Sequence, residues 1–136
     1  MDKQEIKSIL RAFPYSPDDY WVIAGAAMVL YGIKDQTPDI DLGCSKKLAD
    51  RLEADGCLPR RTEGGNRWFT YGDRMEIIEN WLRDSVTEVE GLPVVTVKGL
   101  IEMKRELGRE KDVKDIQSIR EYMKKTGSPH GEANEA

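Results

Sequence analysis

Apolar residues in this chain recur at two periods. Ile6, Ile9, Leu10 and Phe13 fall at helical spacing, which predicts a helix over 2–13 with Asp2 as its cap. Pro14 and the Ser16-Pro17-Asp18-Asp19 cluster end it. A continuous apolar run then predicts a buried strand over 20–24, followed by a short helix over 26–32 closed by Gly32. A strand is expected over 38–43, and Ser45 caps a helix over 46–55 that stops at Gly56. Beyond this the period shortens to two. Arg60, Thr62, Arg67, Trp68, Phe69 and Tyr71 predict two strands joined at Glu63-Gly64-Gly65-Asn66, and Met75 to Glu79 forms another after the Gly72-Asp73 turn. Residues 80–91 carry no clear pattern. Val94 to Val97 reads as a short strand. Helices follow over 98–107, broken by Gly108, and over 111–125, where Val113, Ile116, Ile119, Tyr122 and Met123 share a face.

This order predicts an α/β (α+β) fold, a small mixed sheet flanked by helices with a helix pair at the C-terminal end. A length of 136 residues favours one domain over 1–125, with 126–136 as a flexible polar tail. The net charge of −4 implies no broad attraction to nucleic acid or an anionic membrane, although basic residues cluster between Lys98 and Lys114. Two cysteines, Cys44 and Cys57, are too few for a disulfide framework and match no zinc spacing, which points to reduced thiols in a cytoplasmic protein. No window approaches a membrane span, and no signal peptide is expected.

Chemistry concentrates in two stretches. On a strand, Asp39 and Asp41 would face one way and Ile40 and Leu42 the other. Paired carboxylates repel unless a cation lies between them, and a hard divalent ion, with Mg²⁺ the leading candidate, suits carboxylate oxygens. Upstream, the Gly25-Ala26 turn opens a helix, where backbone N–H groups can approach a phosphate. For a third acid, which could also act as general base toward the acceptor hydroxyl beside the catalytic pair Asp39 and Asp41, Glu76 is preferred. It sits inside its strand between Met75 and Ile77, whereas Glu79 lies at the end and could be solvated. Lys104, on a helix in the basic segment, could reach a nucleotide phosphate, or it could belong to an ordinary solvated face of i,i+3 and i,i+4 pairs. Asp112 at a helix start reads mainly as a cap. Cys44 reads as a small packed residue. Arg60, Arg61, Arg67, Trp68, Phe69 and Tyr71 could stack a base or line an acceptor pocket, or simply form a strand with one packed and one wet face.

The runs Ile23-Ala24-Gly25-Ala26-Ala27, Gly32-Ile33-Lys34 and Thr37-Pro38-Asp39-Ile40-Asp41-Leu42 resemble the signature of the nucleotidyltransferase superfamily that includes DNA polymerase β. The resemblance is to the small bacterial branch of minimal nucleotidyltransferases, antibiotic adenylyltransferases and AbiEii-type proteins. Leu100 to Lys104 and Gly108 to Ile116 resemble the C-terminal helix pair of that branch. The resemblance implies transfer of a nucleoside monophosphate from a nucleoside triphosphate (NTP) to a hydroxyl on a small molecule, an RNA end or a protein. It implies a two-metal Mg²⁺ site held by Asp39, Asp41 and Glu76, with Gly25, Ala26 and Lys104 binding the nucleotide. Ala26 stands where the family commonly carries Gly or Ser, and Glu76 where Asp is commoner. A catalytically degenerate member that binds nucleotide or a protein partner, as in a toxin–antitoxin pair, is the alternative, and an unrelated α/β interaction domain is a third.

Overall fold

A computed structural model describes residues 1–81 and 85–126 of the chain. Its elements run α1 (Lys3–Ala12), β1 (Tyr20–Ile23), α2 (Ala24–Tyr31), β2 (Ile40–Cys44), α3 (Lys46–Ala54), β3 (Arg60–Arg61), β4 (Arg67–Tyr71), β5 (Met75–Glu79), β6 (Val86–Val89), β7 (Leu92–Val95), α4 (Val97–Leu107) and α5 (Glu110–Thr126). The local signals behave as their chemistry requires. Asp2 and Glu5 form a capping box on α1, Ser45 caps α3, and Gly32 and Gly108 end α2 and α4 in left-handed conformations. No helix of the described residues is long and apolar enough to cross a membrane.

The strands form a seven-stranded mixed sheet in the order β3-β4-β5-β2-β1-β7-β6. β2 pairs parallel with β5 and β1 parallel with β7, and the other neighbours are antiparallel. This is the α/β fold that the pattern predicts, with α4 and α5 as the C-terminal helix pair. The unpatterned stretch 80–91 holds a feature that the sequence reading misses. β6 and β7 form a hairpin around Glu90 and Gly91, both at positive φ (57° and 77°). Leu82, Arg83 and Asp84 of that stretch, and positions 127–136 of the expected tail, lie outside the described residues.

Register decides what shares a face. Ile40, Leu42 and Cys44 pair with Met75, Ile77 and Glu79, and Phe69 pairs with Ile77. This side is the core, and burial pushes the Cys44 thiol up to about 12, as a packed residue requires. The expectation of a solvated Glu79 is wrong. It is 7% exposed and grips Arg67 through Nε and Nη2, and Arg67 Nη1 also binds Asp50 and Glu53 of α3. A buried charge persists only with such partners, so this cluster ties α3 to β4 and β5.

The opposite face carries Asp41 opposite Glu76, Glu76 opposite Thr70, and Trp68 opposite both Ile78 and Arg60. Gly43 lies on the same face for a steric reason. A Cβ there would stand 2.6 Å from the Trp81 carbonyl and would overlap the Trp21 indole, whose Nε1 donates to that carbonyl at 2.7 Å. The glycine therefore lets Trp21 cross β2 and pin Trp81 at the end of β5.

Candidate active site

The junction of β1 and α2 is built for close approach. Ala24 opens the helix at φ 58°, a left-handed conformation that costs an L-residue about 1–2 kcal/mol. The N-cap, Ile23, has an aliphatic side chain and makes no side-chain capping bond to the first turn of α2. Gly25 is fixed by its neighbour, since a Cβ would lie 2.6 Å from Thr37 Oγ1. Thr37 is buried and its hydroxyl donates to the Asp39 carbonyl at 3.3 Å, so the same contact positions the segment that carries the first aspartate. Ala26 is 1% exposed. It packs in the core, and Ala24 is the residue of this turn that lines the cleft.

Asp39 precedes β2 and is exposed, rather than standing inside the strand as the alternation suggests. Asp41 is the second residue of β2. Burial pushes its carboxyl up to about 6, the charges of Asp39 and Glu76 push the same way, and Lys104 and Lys111 oppose them. The three acids named from the sequence therefore share one electrostatic neighbourhood. Their oxygens are not equally available. Glu76 Oε1 accepts from Trp68 Nε1 and, at 3.3 Å, from Arg60 Nη2, and Oε2 accepts from Thr70 Oγ1 at 3.0 Å. Among the described residues, no group of three or more His, Cys, Asp or Glu side chains is arranged to hold a metal ion.

Lys104 is 5% exposed, not a solvated face residue. Its Nζ lies 2.9 Å from Asp115 and 3.6 Å from Asp112, and Asp115 also binds Lys34 at 3.0 Å. Burial works to raise the Asp115 carboxyl, but the two lysines together hold it below its ordinary value. Asp112 accepts from the Arg109 backbone N–H and guanidinium, which hold its carboxyl down to about 2 and fasten the start of α5. The cap expected at Asp112 is present. The two carboxylates around Lys104 are a long-range pattern that spacing within one helix does not reveal.

These elements enclose a cleft of about 600 Å³. Ala24 and Asp41 stand at one side of it. Glu76, Trp68 and the β3–β4 turn form a wall, with Trp81 and Ile78 beside them, and Met103, Lys104 and Leu107 of α4 line it as well. The cleft thus brings a helix start, a half-buried carboxylate and a buried cation against an aromatic, largely apolar chamber. Polar groups of this kind suit a phosphorylated ligand, and the chamber suits a second molecule.

No protein-family model and no curated protein sequence matches the chain. Solved structures do match its fold. A Thermotoga maritima protein assigned as a nucleotidyltransferase superposes with a TM-score of 0.60 at 16% identity, over 92% of this chain and 96% of that one. The antibiotic-resistance factor ANT(2'')-Ia superposes with a TM-score of 0.62 at 18% identity, covering 92% of this chain and 85% of its own. The lincosamide antibiotic adenylyltransferase LnuA, solved with lincomycin bound, gives 0.55 at 16% identity, covering 86% and 95%. At these identities the likeness is one of architecture, a nucleotidyltransferase-like fold shared with these solved structures.

Proposed function

We propose that this chain of nucleotidyltransferase fold moves a nucleoside monophosphate from an NTP to a hydroxyl acceptor held in its cleft. The observation that carries the reading is Asp41: a half-buried carboxylate at the cleft, crowded by Asp39 and Glu76, beside an α2 start whose N-cap side chain makes no capping bond. Like charges brought together away from water are unfavourable, and a cation among them removes that cost. The donors are hard oxygens, as Mg²⁺ requires. Magnesium is ordinarily held by one or two carboxylates with substrate phosphates completing its shell, so Asp39 and Asp41 suffice without an all-protein cage. When bound, the ion neutralises charge on the transferring phosphoryl group.

The chain supplies the rest. In this reading Gly25 and Ala26 at the α2 start would offer backbone N–H groups to the triphosphate, and the positive end of α2 favours its charge. Ala26 is no obstacle to this, because its methyl lies in the core. Lys104 adds a fixed positive charge, its position set by Asp112 and Asp115. Glu76 adds a third negative charge opposite Asp41. In the transfer, the acceptor oxygen forms a bond to the α-phosphorus, the bond to the bridging oxygen breaks, pyrophosphate leaves, and the hydroxyl proton passes to a base. A small molecule with an apolar portion is the acceptor class that best fits the chamber of Trp68, Trp81, Met103 and Leu107.

The bonded state of Glu76 and Lys104 favours one other reading, a catalytically degenerate protein that binds nucleotide or a protein partner, as in a toxin–antitoxin pair. Incubation with α-phosphate-labelled NTPs, Mg²⁺ and a pool of hydroxyl compounds separates the two. Transfer that disappears in Asp39→Ala and Asp41→Ala supports the enzyme. Thermal stabilisation by NTP and Mg²⁺ without transfer supports the binder.

A further inference from the structure

We infer that Glu76 is a positioning residue for the wall of the cleft and does not ligate the cation. The inference rests on the proposed function for the cleft's occupant, but its geometry stands alone. Three donors from two strands converge on this one carboxylate: Trp68 Nε1 and Arg60 Nη2 on Oε1, and Thr70 Oγ1 on Oε2. The register explains why. Thr70 is opposite Glu76 across β4 and β5, while Arg60 is opposite Trp68 across β3 and β4. The Arg60 guanidinium also lies over the Trp68 ring, with Cζ 4.1 Å from a ring centroid.

The result is a braced assembly. Glu76 fixes the edge of the indole through its N–H, and Arg60, held by the same carboxylate oxygen, covers the ring. Trp68 is thereby set as one side of the chamber that also contains Asp41. Turning Glu76 toward a cation at Asp41 would take the acceptor from a half-buried indole N–H and loosen Arg60 and Thr70 with it. A buried donor left without an acceptor is costly, so the brace opposes that movement. The wall suits the planar or apolar part of the acceptor. Glu76 therefore acts on where the acceptor lies, leaving the ion to Asp39, Asp41 and the phosphates.

The test uses Mn²⁺, followed by electron paramagnetic resonance, together with the iodide quenching of Trp68. The Trp68 contribution is the part of the tryptophan signal that Trp68→Phe removes. Wild type, Glu76→Gln, Glu76→Ala and Asp41→Asn are compared as full-length protein. Glu76→Gln and Glu76→Ala are expected to bind Mn²⁺ within about threefold of wild type, while Asp41→Asn weakens it at least tenfold. Iodide quenching of Trp68 is expected to at least double in Glu76→Ala and to return toward wild type in Glu76→Gln, whose amide oxygen still accepts from the indole. Loss of Mn²⁺ in Glu76→Gln as deep as in Asp41→Asn overturns the inference, and so does Trp68 quenching that Glu76→Ala leaves unchanged. If wild type itself binds no Mn²⁺, the proposed metal chemistry fails, and the Trp68 signal still decides the role of Glu76 as a brace.

Discussion

Gly25 and Thr37 touch so closely that one added carbon at Gly25 would stand 2.6 Å from the threonine hydroxyl. Gly25→Ala should destabilise the fold by about 1–3 kcal/mol, the usual cost of overpacking a tight contact. Removing the hydroxyl and methyl of Thr37 clears the space. The double variant Gly25→Ala/Thr37→Ala should therefore recover part of the loss, a non-additivity that urea unfolding of the two single variants and the double will read.

Asp41 costs the empty protein stability. Its folded-state carboxyl is raised from 3.8 to about 6, so its ionisation is favoured in the unfolded chain. Stability from this group is fully present at low pH, falls as pH rises from about 4 to about 6, and stays lost above that. Asp41→Asn should make the metal-free protein more stable at pH 7.5 by about 1–3 kcal/mol, and less so at pH 5. It should also abolish stabilisation by Mg²⁺ with NTP. Thermal melts at the two pH values, with and without ligand, check both.

Arg67 is the reverse case. Glu79, Glu53 and Asp50 all accept from this one guanidinium, and the Arg67 backbone N–H also donates to Glu79 Oε1. Arg67→Met leaves Glu79 buried without its counter-charge and with only the backbone N–H of residue 67 as a donor, with an expected loss of about 3–5 kcal/mol. Hydrogen bonds from Arg67 hold the Glu79 carboxyl below its ordinary value, so the stability it contributes exists at neutral pH and is lost as pH falls through that lowered value. Arg67→Met should flatten the acid limb of a stability–pH profile.

Lys104 joins structure to the proposed chemistry. Lys104→Met strands Asp112 and Asp115 with one cation fewer each, leaving Arg109 and Lys34 respectively. Chemical denaturation should show a loss of about 2–4 kcal/mol. Lys104→Met/Asp115→Leu, which removes charge from both sides, should regain part of that stability. Weak NTP binding in the stabilised double variant would then report the lost charge rather than a loosened helix pair.

Much of this was legible in the sequence wherever the signal is local. Asp2, Ser45, Gly32 and Gly108 mark helix ends through bonds made within one turn, and Gly64-Gly65 and Gly72 mark hairpins. The β6–β7 hairpin was missed because its turn, Glu90-Gly91, puts a glutamate at positive φ, where Asn or Gly would have announced it. Asp39, Asp41 and Glu76 could be named from pattern and resemblance, and the β2–β5 register sets Asp41 opposite Glu76. The partners of Glu76 could not. Arg60 lies 16 residues and Trp68 8 residues away, and they meet Glu76 only because β3, β4 and β5 are consecutive in the sheet. The same holds for Lys104, whose spacing fits a solvated face until α5 covers it with two carboxylates. Ala26 misleads in the opposite sense: it looks like a change to the phosphate turn, yet its side chain belongs to the core.

The register that sets Asp41, Glu76 and Thr70 side by side on β2, β5 and β4 also separates two kinds of inheritance. In the proposed function the ion and the phosphates fall to β2, the α2 start and Lys104 of α4, while the β3–β4 hairpin at the rim of the sheet supplies one wall of the acceptor's chamber. A rim hairpin can change length and side chains while the central strands keep their pairing. A scaffold divided in this way can acquire a new acceptor through its periphery without renegotiating its chemistry.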